Sequence, residues 1–283
     1  MELTEQEVWL FFFWIDFKIN NKMKNTFLVS IVIGVSVQNY AQRIVKRPIP
    51  DKLLVLSFDD APVSQFTFAA PILKKYGFGA TFYVCEFPPN FKDNTKYMNW
   101  SQIQQLGQMS FEVGNHTHTH ALVSQLSKEK MKAELTDIEN KCDSLKIGIP
   151  KTFAYPAYYL DYNALLTLHE KKYLFARIGG SRAYNPNKDH PYLIPSWAMT
   201  SDNATEIRNA IQQAKDGKIV ILTIHGVTDY EHHGVTTTPE ILKEHLQYMY
   251  DNQYKVISIK DVSYYINAKK AYRKIKPVII PNI

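Results

Sequence analysis

The sequence predicts an α/β fold with a mainly parallel sheet closing towards a barrel, and three observations carry that prediction. Lys52-Leu53-Leu54-Val55-Leu56-Ser57-Phe58 and Lys218-Ile219-Val220-Ile221-Leu222-Thr223-Ile224 are unbroken apolar runs, the pattern of strands covered on both faces. Shorter apolar runs alternate with helical stretches through seven or eight units. No internal repeat or long linker interrupts the succession, so one domain accounts for it, and the unit count favours a barrel.

Taken in order, the first strand is 52–58, and residues 64–76 read as a helix ending near Gly77. Gly79–Val84 is the second strand, Ser101–Gln108 a helix capped by its serine, and Phe111–Gly114 the third strand. A long helix over 127–146 has Ser127 as its cap. Thr152–Tyr155 is a strand halted by Pro156, and Asp161 caps a helix to about Lys171. Tyr173–Ile178 and Tyr192–Trp197 are the fifth and sixth strands, separated by a Gly/Asn/Pro-rich loop. Asn203 caps a helix to about Lys215, and 218–224 is the seventh strand. A helix over 239–252, a short strand at Lys255–Ile257 and a last helix over Asp261–Ala268 complete the set.

The chain of 283 residues is 45% hydrophobic and 13% aromatic, enough to bury a sizeable core. Its net charge of +6 is scattered, with one dense cluster at Lys269–Lys276. No nucleic-acid module accompanies the cluster, so it reads as a solvated tail and a nucleic-acid partner is not expected. Met23-Lys24-Asn25, the apolar run Phe27–Val37 and the small residue Ala41 have the layout of a secretory signal, too short for a comfortable membrane span. The expected organisation is therefore a mis-assigned or non-native extension at 1–22, a signal peptide at 23–41 and a single domain at 42–283. The product is expected to be exported, periplasmic or extracellular, with no stable membrane span after signal removal. Cys85 and Cys142 have no metal spacing and are expected to be buried thiols.

Functional groups in parallel α/β sheets gather at the C-terminal strand ends. Here the first strand runs into Asp59-Asp60, the third into Asn115-His116-Thr117-His118-Thr119-His120, the fourth into Tyr155-Pro156 and the seventh into His225. One carboxylate and two imidazoles make a three-ligand metal site with an open position for water. Spacing alone leaves the histidine pair open: His116 and His118 share a face on a continuing strand, and His116 and His120 converge if the chain turns. The second carboxylate is free to act as base, and a histidine such as His225, whose type titrates near neutrality, to act as acid.

Ser57-Phe58-Asp59-Asp60, His116-Thr117-His118-Thr119-His120, Ala154-Tyr155-Pro156 and Leu222-Thr223-Ile224-His225 resemble, in order, the motifs of the polysaccharide deacetylase group, carbohydrate esterase family four or NodB-homology domain. The similarity covers about residues 50–267 of the chain. The resemblance implies a distorted (β/α) barrel, usually of seven strands. It implies Asp59 as catalytic base, Asp60, His116 and His120 as ligands of a divalent metal, most often Zn2+, and His225 as catalytic acid. His118 is then an inner residue of the loop. Water activated at the metal would remove acetyl groups from an N-acetylated glycan, with the oxyanion helped by the backbone N–H of Ala157 after Pro156.

Two departures stand out. The group's third motif places an arginine two residues before the proline, where this chain has Ala154, and Arg177 is the candidate replacement for orienting the base. The fourth motif is not clear; Trp197 is the candidate groove aromatic, and Asp202 a poor candidate partner for the acid histidine. O-acetyl ester or non-sugar amide hydrolysis on the same fold, or a weakened carbohydrate-binding barrel, are the alternatives. An amidohydrolase using His116-Thr117-His118 fits less well, because that motif belongs on a first barrel strand.

Overall fold

Strands form where the apolar runs stand: β1 (Leu53–Phe58), β2 (Thr81–Val84), β3 (Glu112–Asn115), β4 (Thr152–Ala154), β5 (Phe175–Arg177), β6 (Trp197–Ala198), β7 (Val220–Ile224) and β8 (Lys255–Ile257). The computed structural model describes residues 43–87, 90–229 and 231–279, so the expected leader at 1–22 and 23–41 lies outside the described residues. Seven strands run in the order β5-β4-β3-β2-β1-β7-β6, and β8 joins the first half of β1, all in parallel pairs. The curled sheet nearly closes on itself. Ile194, ahead of β6, bridges Arg177 of β5, with Ile178 N donating to Ile194 O at 2.8 Å and Ile194 N donating to Ala176 O at 2.9 Å. This is the distorted (β/α) barrel expected. The sixth strand is shorter than the run 192–197 suggested, because Pro195 has no N–H to give a ladder.

Helices cover the outside at Ala70–Tyr76, Trp100–Gln108, Lys128–Ser144, Tyr162–Glu170, Ala204–Ile211, Pro239–Asp251 and Ala268–Lys274. Ser127 and Asp161 cap as expected, accepting from Lys130 N and Ala164 N. Three local expectations are corrected. The second helix is capped by Asn99, in a reciprocal box with Gln102, not by Ser101. Asn203 makes no cap; its amide donates to Ala198 O and its oxygen accepts from Thr200 N. The last helix begins at Ala268, after a 3-10 segment at Lys260–Tyr264. The basic cluster is consequently no free tail. Ala268 and Ala271 are buried, and Tyr272 stacks on His169 at 3.9 Å.

Alternation along the strands sorts the core into an outer and an inner set. Leu54, Leu56 and Phe58 pack with helix residues such as Leu73, Ile103 and Leu242. Leu53 and Val55 pack instead with Tyr83, Phe175, Ile219 and Ile221. Burial of each such leucine contributes about 1.5–3 kcal/mol, and Leu56→Ala would cost about 2–5 kcal/mol. Gly114 on β3 leaves space for the Tyr83 ring, which a Cβ there would meet at 2.4 Å. The inner parity runs to Arg177 at the end of β5 and on past the ends of β1, β3 and β7 to Asp59, His116 and His225, each two residues beyond an inner position. Cys85 and Cys142 are free and buried, as expected. No helix among the described residues is long and apolar enough to cross a membrane.

Candidate active site

Asp59 and Asp60 leave β1 in different directions because the backbone turns between them. Asp59 N still donates to Ile224 O of β7 at 2.9 Å, continuing the ladder. Asp60 and Ala61 then adopt φ of 73° and 56°, and Thr117 and His120 in the histidine loop adopt 62° and 55°. Left-handed residues with a Cβ cost on the order of 1–2 kcal/mol each, so strain gathers around this rim. Surrounding bonds hold it in place. Buried Asn115 accepts from Thr117 N and donates to Leu135 O and the Tyr173 hydroxyl, while Thr119 N and hydroxyl both donate to Glu134.

The turn brings Asp60, His116 and His120 together, with one donor atom from each inside 4.8 Å of the others. Asp60 Oδ1 lies 3.2 Å from His116 Nε2 and 3.4 Å from His120 Nε2. Ligands about 2.1 Å from a tetrahedral zinc stand about 3.4 Å apart, so the spacing fits such an ion. The tautomer fits as well. His116 Nδ1 donates to Ala154 O at 2.8 Å, which leaves Nε2 with a lone pair facing the Asp60 carboxylate. Two lone-pair atoms that close require a cation or a proton between them. Burial alone would lower the His116 pKa, but the Asp59 and Asp60 carboxylates outweigh it and the pKa is raised. For Asp60 burial would raise the pKa, and the His116 hydrogen bond with the charges of His225, His116 and His120 holds it well below the usual range. Burial, with the neighbouring His116, pushes His120 down to about 4, which keeps it a neutral ligand.

Asp59 pairs with Arg177, whose guanidinium is fully buried. The guanidinium enters from the strand next to the position the third motif uses, since Ala154 and Arg177 are register partners across β4 and β5. Tyr83 and Tyr158 flank the guanidinium at 5.5 and 5.6 Å. Burial would lower the Arg177 pKa, but the Asp59 charge overcomes this and raises it. His225 Nε2 lies 4.0 Å from Asp59 Oδ2 and 3.8 Å from Asp60 Oδ2. Buried Asp59 Oδ1 and His225 Nδ1 have no hydrogen-bond partner among the described residues.

The remaining sequence candidates fall on both sides of this centre. Buried Pro156 is followed by exposed Ala157 in a left-handed turn of φ 48°, ψ 19°. His118 stands apart from the triad, between Glu86 at 3.3 Å and Asp137 at 3.4 Å. Trp197 is corrected: its side chain is 3% exposed and belongs to the hydrophobic core, so it does not wall a groove. Asp202 is exposed and makes no bond to His225.

Sequence reasoning missed two features. Gln65 is buried, and its amide donates to the carbonyls of both Asp59 and His225, tying the ends of β1 and β7. A polar residue within an apolar helical stretch was its only signal. Asp229 pairs with His232 in the loop after His225, where the polar run Glu231-His232-His233 gave a signal without a role.

The family model described as polysaccharide deacetylase matches residues 46–175. A bifunctional xylanase/deacetylase of Pseudobutyrivibrio xylanivorans is 21% identical over 75% of this chain, which spans 30% of that protein's length. Among solved structures, the Xyl-CE4 domain of a multidomain xylanase from the hindgut metagenome of Trinervitermes trinervoides has a TM-score of 0.54 and 21% identity, covering 78% of this chain and all of that one (100%). A CE4 family pseudoenzyme from Bacillus anthracis has a TM-score of 0.52 and 15% identity, covering 75% of this chain and 66% of that one. These structural likenesses concern the fold.

Proposed function

We propose that this chain is a member of the polysaccharide deacetylase family, whose model matches residues 46–175, and a metal-dependent hydrolase that removes acetyl groups from an N-acetylated glycan. The observation that carries this reading is the convergence of Asp60, His116 and His120 beside an Asp59 that Arg177 holds on one oxygen only. Asp60, His116 and His120 would hold the metal, Zn2+ by the chemistry of one carboxylate and two imidazoles. Bound there, it would supply Lewis acidity towards the acetyl carbonyl and lower the pKa of a water.

The protein's own groups do the rest. Asp59, fixed by Arg177 with Oδ1 left open, accepts the proton of the attacking water. The Ala157 N–H donates to the carbonyl oxygen as it gains charge. His225, near both carboxylates, protonates the departing nitrogen. Elemental analysis of the purified protein, paired with acetate release from chitooligosaccharides, peptidoglycan and acetylated xylan, tests the reading. One equivalent of metal with release from the N-acetylated substrates is expected. Metal-loaded protein that releases no acetate from any of them would favour a barrel that only binds carbohydrate.

Cleavage of O-acetyl esters on xylan is a second reading, favoured by the xylanase/deacetylase relative. An amine leaving group depends on the acid more than an alcohol does, so His225→Ala should lose more on amides than on esters. The leader pattern at 23–41 supports action outside the cytoplasm, where such glycans lie.

A further inference from the structure

The loop after β7 folds back on itself and is held at several points. Val227 bridges Thr237, Thr237 N donates to Gly226 O at 3.0 Å, and Asp229 N donates to the Thr236 hydroxyl at 2.7 Å. Glu231 reaches Lys96 at 2.7 Å, tying this loop to the one that follows β2. Gly226 directly follows His225, and a Cβ there would fall 2.0 Å from the Asp229 Cβ. Glycine at 226 therefore makes room for Asp229 beneath the strand end.

Asp229 is buried, and burying a carboxylate is costly unless it is bonded. Its Oδ1 accepts from Glu231 N at 2.9 Å, and its Oδ2 faces His232 Nδ1 at 2.8 Å. That bond fixes the imidazole's orientation, and His232 Nε2 has no partner among the described residues. The His232 ring is partly exposed, 5.3 Å from Phe87 and 6.2 Å from Tyr97. Phe87 in turn stacks on His120 at 4.5 Å. One aromatic ring thus separates the oriented imidazole from the candidate metal ligands. An aromatic face beside an oriented polar edge suits a sugar ring, which presents C–H faces and hydroxyl rims. The contrast with His225 is informative, because no carboxylate orients its Nδ1.

We propose that His232, oriented by Asp229, is a substrate-positioning residue whose Nε2 hydrogen-bonds a hydroxyl of the glycan. A hydroxyl both donates and accepts, so it can pair with either protonation state of the ring. The proposal rests on the deacetylase reading of the site. Its test uses the zinc-loaded protein with penta-N-acetylchitopentaose, comparing wild type, His232→Phe and Asp229→Asn. Calorimetric affinity, KM, kcat and zinc content are measured for each. About a tenfold loss of affinity and rise in KM is expected in His232→Phe, the scale of one good hydrogen bond. A smaller loss is expected in Asp229→Asn, with kcat within about threefold of wild type and zinc content unchanged in both. Unchanged affinity in His232→Phe would overturn the proposal, as would a fall in kcat alone. If wild type binds the pentamer but releases no acetate, the deacetylase reading fails while the binding comparison still decides the role of His232. If Asp229→Asn does not fold, the partly exposed His232 position carries the test alone.

Discussion

The strand β3 carries a buried carboxylate at its foot and an imidazole of the candidate site just past its head, and the two ends are built to opposite rules. At the foot, Glu112 accepts from the Thr81 and Thr152 hydroxyls, each at 2.7 Å, and from Lys260 N at 2.8 Å. Those bonds join β2, β3, β4 and the segment after β8. At the head, Asp59 Oδ1 and His225 Nδ1 are buried without a hydrogen-bond partner among the described residues, amid four left-handed non-glycine residues at 60, 61, 117 and 120. A buried polar group normally completes its bonds, and one left open is a cost that the fold carries for another reason. The foot is closed and serves stability. The head is left open, as the proposed metal binding and proton transfer would require.

Substitutions at the head should break this contrast most. Asp60→Ala or His120→Ala should abolish stoichiometric metal and bring acetate release to background, since two remaining ligands hold zinc poorly. Full metal retention in His120→Ala with loss in His118→Ala would reverse the ligand assignment. Asp59→Asn should keep the metal and lose about 10²–10⁴ in kcat, the range for a general base. Elemental analysis and acetate release on the same preparation separate these two outcomes.

Arg177 belongs to both regimes, being fully buried yet paired to the proposed base. Arg177→Met should lose about 3–5 kcal/mol of stability, because it leaves Asp59 buried and unpaired. Adding Asp59→Asn to that variant should restore a good part of the stability and none of the activity. Denaturant unfolding of the two single variants and the double variant reads the coupling; strict additivity would show that the pair is not a unit.

Legibility in the sequence followed the same division. The strand runs and the convergence of Asp59, Asp60, the histidine loop and His225 could be read because apolar runs and strand ends are local properties of the chain. Spacing left His118 and His120 open and only the motif resemblance chose His120; the turn at Thr117 is the physical reason, which spacing does not specify. Arg177 could be named only as a candidate, since its reach to Asp59 depends on the register that sets it beside Ala154. Trp197 was misplaced because an aromatic at a strand end reads the same whether it faces a groove or the core. Glu112 stood in plain view, a carboxylate in a run read as a buried strand, but its partners are 31, 40 and 148 residues away in sequence.

Glu112 also gives the subtlest prediction, because its variants should alter stability and leave chemistry untouched. Glu112→Ala leaves the Thr81 and Thr152 hydroxyls and Lys260 N without their acceptor and should cost about 2–4 kcal/mol. Acetate release per metal-loaded molecule should be unchanged. Glu112→Gln is milder and reads the charge. Burial raises the Glu112 pKa above its ordinary 4.5, and the bonds from Thr81, Lys260 N and Thr152 pull it back only in part. A raised folded-state pKa means that the fold favours the protonated carboxyl. The stability it contributes is therefore full below pH 4.5 and is lost as pH rises from there through the folded-state value. Glutamine cannot ionise, so over that window the variant should gain on wild type, then hold a constant difference. Denaturant unfolding of both proteins at matched metal, from pH 4 to pH 8, measures it. A difference that is flat with pH would show that Glu112 titrates alike in the folded and unfolded chains, and a loss of turnover in the folded variant would show that the foot of the barrel is not separate from its head.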